Sequence, residues 1–280
     1  MKIKRAIISV SDKTGLIPFA KSLHTAGVEI FSTGGTLALL KKEKIPARSV
    51  SELTGFPEIL GGRVKTLHPK VHGGLLYLRH SKEQSREAKT HEIAAIDMVV
   101  VNLYPFGQTI AKPGIALEEA VEQIDIGGPT MLRSGAKNFE SVAVISDPAD
   151  YGRVTEDIKK NKGAVSLALR KSLAAKVFRH TSAYDAEIAR YLTEKFEPSE
   201  ELPETMNLIL KRSESLRYGE NPHQRAALYA AIGGKSRFSF EQLQGKALSY
   251  NNILDFEAAA DIIREFQEPA ACVVKHNNPC

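Results

Sequence analysis

Short apolar runs punctuate the first half of the chain at residues 6–10 (AIISV), 28–31 (VEIF), 98–103 (MVVVNL) and 142–145 (VAVI). Between them, residues 16–26, 37–44, 117–124 and 131–136 place apolar side chains at helical spacing. Continuous apolar runs suit strands buried on both faces. Their alternation with helices predicts an α/β fold with a doubly wound parallel sheet. From residue 150 to 196 the pattern turns helical, with 165–180 running into 183–195. The acidic, proline-bearing stretch 197–204 (EPSEELPE) reads as a linker, and a new segment starts near Met206. Residues 270–274 read as a buried strand that residues 275–280 (KHNNPC) leave abruptly, so the chain reads as ending inside an unfinished domain.

Two strand ends carry the most informative chemistry. Ser11-Asp12-Lys13-Thr14-Gly15 closes the first run and Thr33-Gly34-Gly35-Thr36 the second, each where a helix pattern begins. Backbone N–H groups at a helix N-terminus, glycines that admit close approach and hydroxyl donors together make a phosphate cradle. Ligands of open α/β sheets bind beyond the carboxyl ends of the strands, where both segments lie.

Composition narrows the ligand. The 280 residues are 42% hydrophobic and 25% charged, enough for a full core and roughly two domains. A net charge of +5, with basic residues spread along the chain and no tryptophan, suits an anionic metabolite better than a nucleic acid. No run has the length of a membrane span, and the start of the chain lacks the apolar core of a signal peptide. Two cysteines, Cys272 and Cys280, give no disulfide framework, so the expected compartment is the cytoplasm.

Each motif has a plain structural reading beside a chemical one. Ser11 or Asp12 suits a helix N-cap, but paired with Thr33–Thr36 the phosphate reading is the better one. Arg63, Lys65 and Thr66 follow Gly61-Gly62 and precede a histidine- and glycine-rich segment, which favours an anion-binding loop over an exposed strand. His68 and His72 have the spacing of helical metal ligands. Pro69 between them disfavours a helix and no HExxH glutamate is present, so they read as loop histidines and no metal is expected. Tyr104 either plugs the sheet edge or donates to a substrate oxygen. Lys137 complements a helix C-terminus, or pairs with Asp125 for proton transfer at the same sheet edge. Gly234-Lys235-Ser236 lacks the rest of a P-loop, and Pro279-Cys280 lacks the rest of a zinc deaminase signature.

Taken in order, SVSDKTG, STGGT, SELTGFPE, LGGRVKTLHP, NLYPF, EEAVEQIDIGGPT and RSGAKN, then LRYGENPHQ, SYNN and KHNNPC, span essentially the whole chain. The series resembles the bifunctional purine-biosynthesis family that joins phosphoribosylaminoimidazolecarboxamide formyltransferase to IMP cyclohydrolase. The resemblance implies a methylglyoxal synthase-like cyclohydrolase domain over residues 1–147 and a helical extension and linker over 148–200. Residues 201–280 would be the truncated start of a second α/β domain, cytidine deaminase-like, that carries formyl transfer. The implied reaction closes the ring of 5-formamidoimidazole-4-carboxamide ribonucleotide to IMP with loss of water, without cofactor or metal.

Carried residue by residue, the resemblance gives Ser11, Asp12, Lys13, Thr33, Gly34, Gly35 and Thr36 to the nucleotide, chiefly its phosphate. Arg63, Val64, Lys65 and Thr66 would line the base and reacting groups, and Asn102 and Tyr104 the carboxamide or formyl side. Asp125, with Gly127 and Gly128, would position the reacting group, and Lys137 would move a proton. In the second domain, Arg217, Tyr218, Lys275 and His276 match residues that bind the aminoimidazole carboxamide nucleotide, with 10-formyltetrahydrofolate as co-substrate. The further nucleotide and folate contacts of the family fall beyond Cys280, so this chain is expected to lack formyl transfer. A homodimer is implied for the family and left open for this chain. Two rivals are a lyase of the methylglyoxal synthase type acting on dihydroxyacetone phosphate, and a nucleotide-binding module without turnover.

Overall fold

The computed structural model describes residues 2–197, 205, 207–232 and 240–280. Most of the expected linker and the Gly234-Lys235-Ser236 segment lie outside the described residues. The chain divides into two compact units, Met1–Leu192 and Thr193–Cys280.

The first unit alternates strands and helices as the apolar pattern predicts. It runs β1 (Arg5–Val10), α1 (Leu16–Thr25), β2 (Glu29–Ser32), α2 (Gly34–Lys42), β3 (Arg48–Ser49), α3 (Val50–Thr54), α4 (Pro69–Leu76) and α5 (Lys82–Thr90). It continues through β4 (Met98–Asn102), α6 (Phe106–Ile110), α7 (Leu117–Glu122), α8 (Gly127–Lys137), β5 (Ala143–Ile145), α9 (Tyr151–Lys160) and α10 (Leu167–Phe196). The five strands are all parallel, in the order β3-β2-β1-β4-β5. The order reverses between β1 and β4, which opens a crevice at their carboxyl ends.

Strand parity divides the core between the two faces. Ala6, Ile8, Met98, Val100, Ala143 and Ile145 point into one cluster, where α1 and α9 pack. Ile7, Phe31, Val99, Val101 and Val144 point into the other, beneath α4 and α8. Helix α1 buries Leu16, Phe19, Ala20 and Leu23, one stripe of the 3.6-residue period. The Phe19 and Tyr151 rings stack at 4.4 Å, tying α1 to α9. The two helical stretches expected after residue 165 form one continuous helix of 30 residues, α10. It serves both clusters, through Leu169 and Leu173 on one side and Ala174, Val177, Tyr184 and Tyr191 on the other.

Several expectations change in detail. Helix α4 begins at Pro69, so His68 and His72 are not loop histidines. His68 is the N-cap and its Nδ1 accepts from the Lys70 N–H at 3.1 Å, while His72 lies within the helix. Proline at the first helical position gives up only an N–H that has no intrahelical partner, and its φ suits the helix. Helices α2 and α8 likewise start earlier than their apolar stripes, at Gly34 and Gly127, so both glycine pairs form first turns.

The second unit contains an antiparallel pair, β6 (Leu210–Ser215) with β7 (Ala227–Ala231), helix α11 (Tyr250–Arg264), and a short hairpin of β8 (Val274–Lys275) and β9 (Asn278–Pro279). Residues 270–274 are not the buried strand expected from their composition. Only Val274 enters β8, and Val273 remains 73% exposed. No helix among the described residues is long and apolar enough to cross a membrane.

Candidate functional site

A cavity of about 830 Å³ opens at the carboxyl ends of β1, β2 and β4. Ser11, Lys13, Thr33, Gly34, Gly35, Thr36, Arg63, Lys65, Thr66, Asn102, Tyr104, Asp125, Gly127 and Gly128 all line it. Residues from five separate segments of sequence therefore meet in one concave site, and the sheet topology is what brings them there.

The β1–α1 loop is internally satisfied. Asn102 Oδ1 accepts from the N–H groups of Ser11 and Asp12 at 2.6 and 2.8 Å, and its Nδ2 donates to Asp12 O at 2.9 Å. The amide of Asn102 thus fixes the loop. Hydrogen bonds from the Thr14 side chain and then from its N–H, the latter 2.8 Å from Asp12 Oδ1, lower the Asp12 carboxyl pKa, and Asp12 does not line the cavity. Lys13 Nζ donates to Val10 O at 2.8 Å. Thr36 is buried and donates to the same carbonyl at 3.0 Å, locking α2 to the end of β1.

The open donors lie at the start of α2. Its first-turn N–H groups have no intrahelical partner and carry the positive end of the helix dipole. The Lys65 ammonium adds to this field: a Cβ placed on Gly34 would lie 3.8 Å from Lys65 Nζ, and one on Gly62 would lie 3.0 Å from it. Gly62, with φ +87°, is therefore needed both for its backbone conformation and for the room it leaves Lys65. Lys65 is balanced by Glu58 at 3.4 Å. Beside it, Val64 pairs with Ile59 in a β-bridge outside the cavity lining, and Arg63 is engaged with Glu122 across an exposed ion pair.

The opposite wall holds Asp125. Its Oδ1 accepts from the Gly128 N–H at 2.8 Å, and any side chain at Gly128 would collide with the carboxylate. Burial raises the Asp125 pKa, against the lowering effect of N–H donors from Gly128 and Tyr104. A carboxyl set above its usual range in a cleft is suited to exchange protons. Thr66 is buried with its hydroxyl against Gly127, where a Cβ would come within 2.8 Å. Tyr104 presents its phenol at the rim, 47% exposed.

Lys137 is not brought to this edge. It is exposed on the last turn of α8, whose first turn carries Gly127 and Gly128. Ten steps of about 1.5 Å from Gly127 put it about 15 Å along the helix from the start of that turn. There it borders a second cavity of about 740 Å³ with Arg133, Ser134, Lys171 and Phe178. The Asp125–Lys137 proton couple expected from sequence is therefore absent from the described cavity.

In the second unit, Arg217 lies over the Tyr218 ring at 4.8 Å, and Tyr218 O accepts from the Tyr250 N–H at 3.0 Å. Lys275 and His276 belong to the β8–β9 hairpin, tied to α11 by the Asn277 N–H on Asp255 at 2.9 Å. The residues that sequence reasoning missed are Glu58, Glu122 and Tyr184. Glu122 and Tyr184 act on partners 59 positions away, and Glu58 reaches Lys65 only because the Ile59–Val64 bridge folds that loop back on itself.

Residues 15–130 match the MGS-like domain family and residues 135–280 match the AICARFT/IMPCHase bienzyme family. The bifunctional purine biosynthesis protein PurH of Bacillus subtilis (strain 168) is 56% identical over 282 residues, covering 100% of this chain and 54% of the relative. PurH of Magnetococcus marinus is 54% identical over 285 residues, covering 100% of this chain and 53% of the relative. The chain thus spans about half the length of the curated relatives it matches. The crystal structure of ForH superposes with a TM-score of 0.62 at 39% identity, covering 66% of this chain and 95% of that one. From the family match over residues 135–280, the chain belongs to the AICARFT/IMPCHase bienzyme family.

Proposed function

We propose that the first unit is an IMP cyclohydrolase, closing the ring of 5-formamidoimidazole-4-carboxamide ribonucleotide with loss of water. One observation carries this reading: a helix N-terminus and an ammonium line a single cavity together with the half-buried carboxyl of Asp125, whose pKa burial raises. The first turn of α2, with Ser11 and Lys13, holds the phosphate. Thr66 and Tyr104 flank the base.

The carboxamide nitrogen attacks the formyl carbon, forming the new C–N bond and turning the formyl oxygen into a hydroxyl on a tetrahedral carbon. Asp125 accepts the proton that leaves the carboxamide nitrogen. Lys65 stabilises the negative charge that develops on the formyl oxygen, which takes up a proton. Loss of that hydroxyl as water, with the formamido N–H proton, leaves the C=N bond of IMP. Binding holds the two reacting groups of one substrate at attack distance, so orientation supplies much of the acceleration.

In the longer family members this activity is paired with formyl transfer from 10-formyltetrahydrofolate. Arg217, Tyr218, Lys275 and His276 are proposed to contact the aminoimidazole nucleotide there.

Spectrophotometric conversion of the formamido ribonucleotide to IMP by the purified chain, without folate or added metal, tests the reading. Turnover is expected. Phosphate release from dihydroxyacetone phosphate, or IMP binding by folded protein that never turns over, would overturn it.

A further inference from the structure

Asp125 is held by its main chain as well as by its carboxylate. The Asp125 N–H donates to Tyr184 Oη at 2.8 Å, and the same hydroxyl donates to Gln123 O at 3.4 Å. One phenol thus clasps both sides of the turn that ends α7 and leads into α8. Tyr184 comes from α10 and is 7% exposed. Its ring meets Phe106 edge-on at 6.3 Å, and Phe106 in turn meets Tyr191 at 5.7 Å. A side chain at Gly107 would strike the Glu187 carboxylate, so α6 also seats closely on the same stretch of α10.

We infer that Tyr184 is a positioning residue of the cyclohydrolase, holding the 123–125 turn so that the Asp125 carboxylate stays aimed into the cavity. The inference rests on the cyclohydrolase reading for its kinetic part alone. Tyr184 lies beyond residues 15–130, so a helix outside the MGS-like match braces, from behind, a turn that lines the cavity. Burial pushes the Tyr184 phenol up to about 12, so it keeps its proton and can donate to Gln123 throughout the working range. The titratable groups around Asp125 are Tyr184, with Asp185 and Glu187 beside it on α10, Tyr104 on the β4–α6 segment, and the Arg63–Glu122 pair and Lys65 across the cavity.

Tyr184→Phe removes the hydroxyl and keeps the ring. It is expected to lower kcat about tenfold through misplacement of Asp125, with KM within about twofold of wild type. In an Asp125→Asn background the same substitution should cost nothing further in kcat, because the group it positions has lost its chemistry. A carboxyl 13C titration of Asp125 provides a readout independent of turnover. Its midpoint should fall toward the ordinary carboxylate range in Tyr184→Phe, as the loosened turn lets water reach the carboxyl.

Phe106→Leu loosens the same ring packing without touching the hydroxyl, and should lower Tm while leaving the Asp125 midpoint in place. Equal kcat losses in both backgrounds, or a midpoint unmoved in Tyr184→Phe, would overturn the inference. So would a midpoint that moves equally in Phe106→Leu. If wild type shows no turnover, the cyclohydrolase reading fails, and the titration alone decides whether Tyr184 positions Asp125.

Discussion

At the scale of single residues, the proposed mechanism makes Asp125 set function against stability. Burial raises its folded pKa above the unfolded value. Its contribution to stability is therefore complete below the ordinary carboxylate pKa, and is lost as pH rises through the raised folded value. Near neutral pH the ionised carboxylate is a cost that the fold carries for the site. Asp125→Asn should accordingly reduce kcat by about 10²–10⁴ while leaving Tm at pH 7 equal to or above wild type. A melt and a rate measured on the same preparation check both halves. Lys65→Met, which removes the charge beside Gly34, should lower kcat/KM by about 10², and steady-state rates across a salt series would show it. Lys65, Thr66 and Asp125 were legible in the sequence because glycines flank them, and a polar side chain among glycines marks a backbone that approaches a ligand. Glu58, Glu122 and Tyr184 were not: Arg63 and Glu122 are 59 positions apart and only the fold introduces them. Lys137 lines no part of the Asp125 cavity because it closes the helix whose opening turn carries Gly127 and Gly128.

At the scale of elements, four of the five parallel strands were legible to within a residue or two because a buried parallel strand is a continuous apolar run, whereas β3, two polar residues at the sheet edge, offers no such run. Helix starts were less so. Apolar stripes begin only where a helix meets the core, whereas α2 and α8 begin with glycines that face the cavity. Glycine also controls how closely α8 lies on the sheet. A Cβ at Gly135 would come within 2.8 Å of Val144 and 3.1 Å of Val99. Gly135→Ala should therefore destabilise the fold by about 1–3 kcal/mol through overpacking, despite alanine's better helix propensity. Equilibrium denaturation in urea would read it.

The opposite edge of the sheet has its own clasp. Asp97 is 4% exposed and accepts from the N–H groups of Lys4 and Arg5 at 2.8 and 2.9 Å, and it pairs with the Arg79 guanidinium. This carboxylate ties the start of β1 to the start of β4, far from the cavity at their other ends. Asp97→Ala removes a buried carboxylate that pairs with Arg79 and accepts two backbone N–H groups, and should cost about 3–5 kcal/mol. The rate per folded molecule should be unchanged, because nothing at the carboxyl edge of the sheet touches Asp97.

At the scale of the whole molecule, the two hydrophobic clusters decide where folding autonomy resides. Every residue in both clusters lies between Ile3 and Leu192. So do all five strands of the parallel sheet and every residue lining the cavity. Helix α10 belongs with them: Leu169, Leu173, Val177 and Tyr184 are buried in those clusters, so the helical extension is part of the first unit's core. Its sequence announced a helix but not its destination, because its apolar positions do not say which neighbour they cover. A chain shortened to residues 1–197 keeps all of this and ends just after Phe196, the last residue of α10. It should unfold in one cooperative transition, bind IMP, and turn over the formamido ribonucleotide at a rate within about twofold of the full chain, as expected when no contact of the site is removed. Calorimetry gives the transition and the binding, and the absorbance assay gives the rate. A fragment shortened further to end before Tyr184 loses the aromatic contact with Phe106 and the clasp on Asp125 together. It should lose turnover even where it still folds, which separates the domain that the sheet defines from the enzyme that α10 completes.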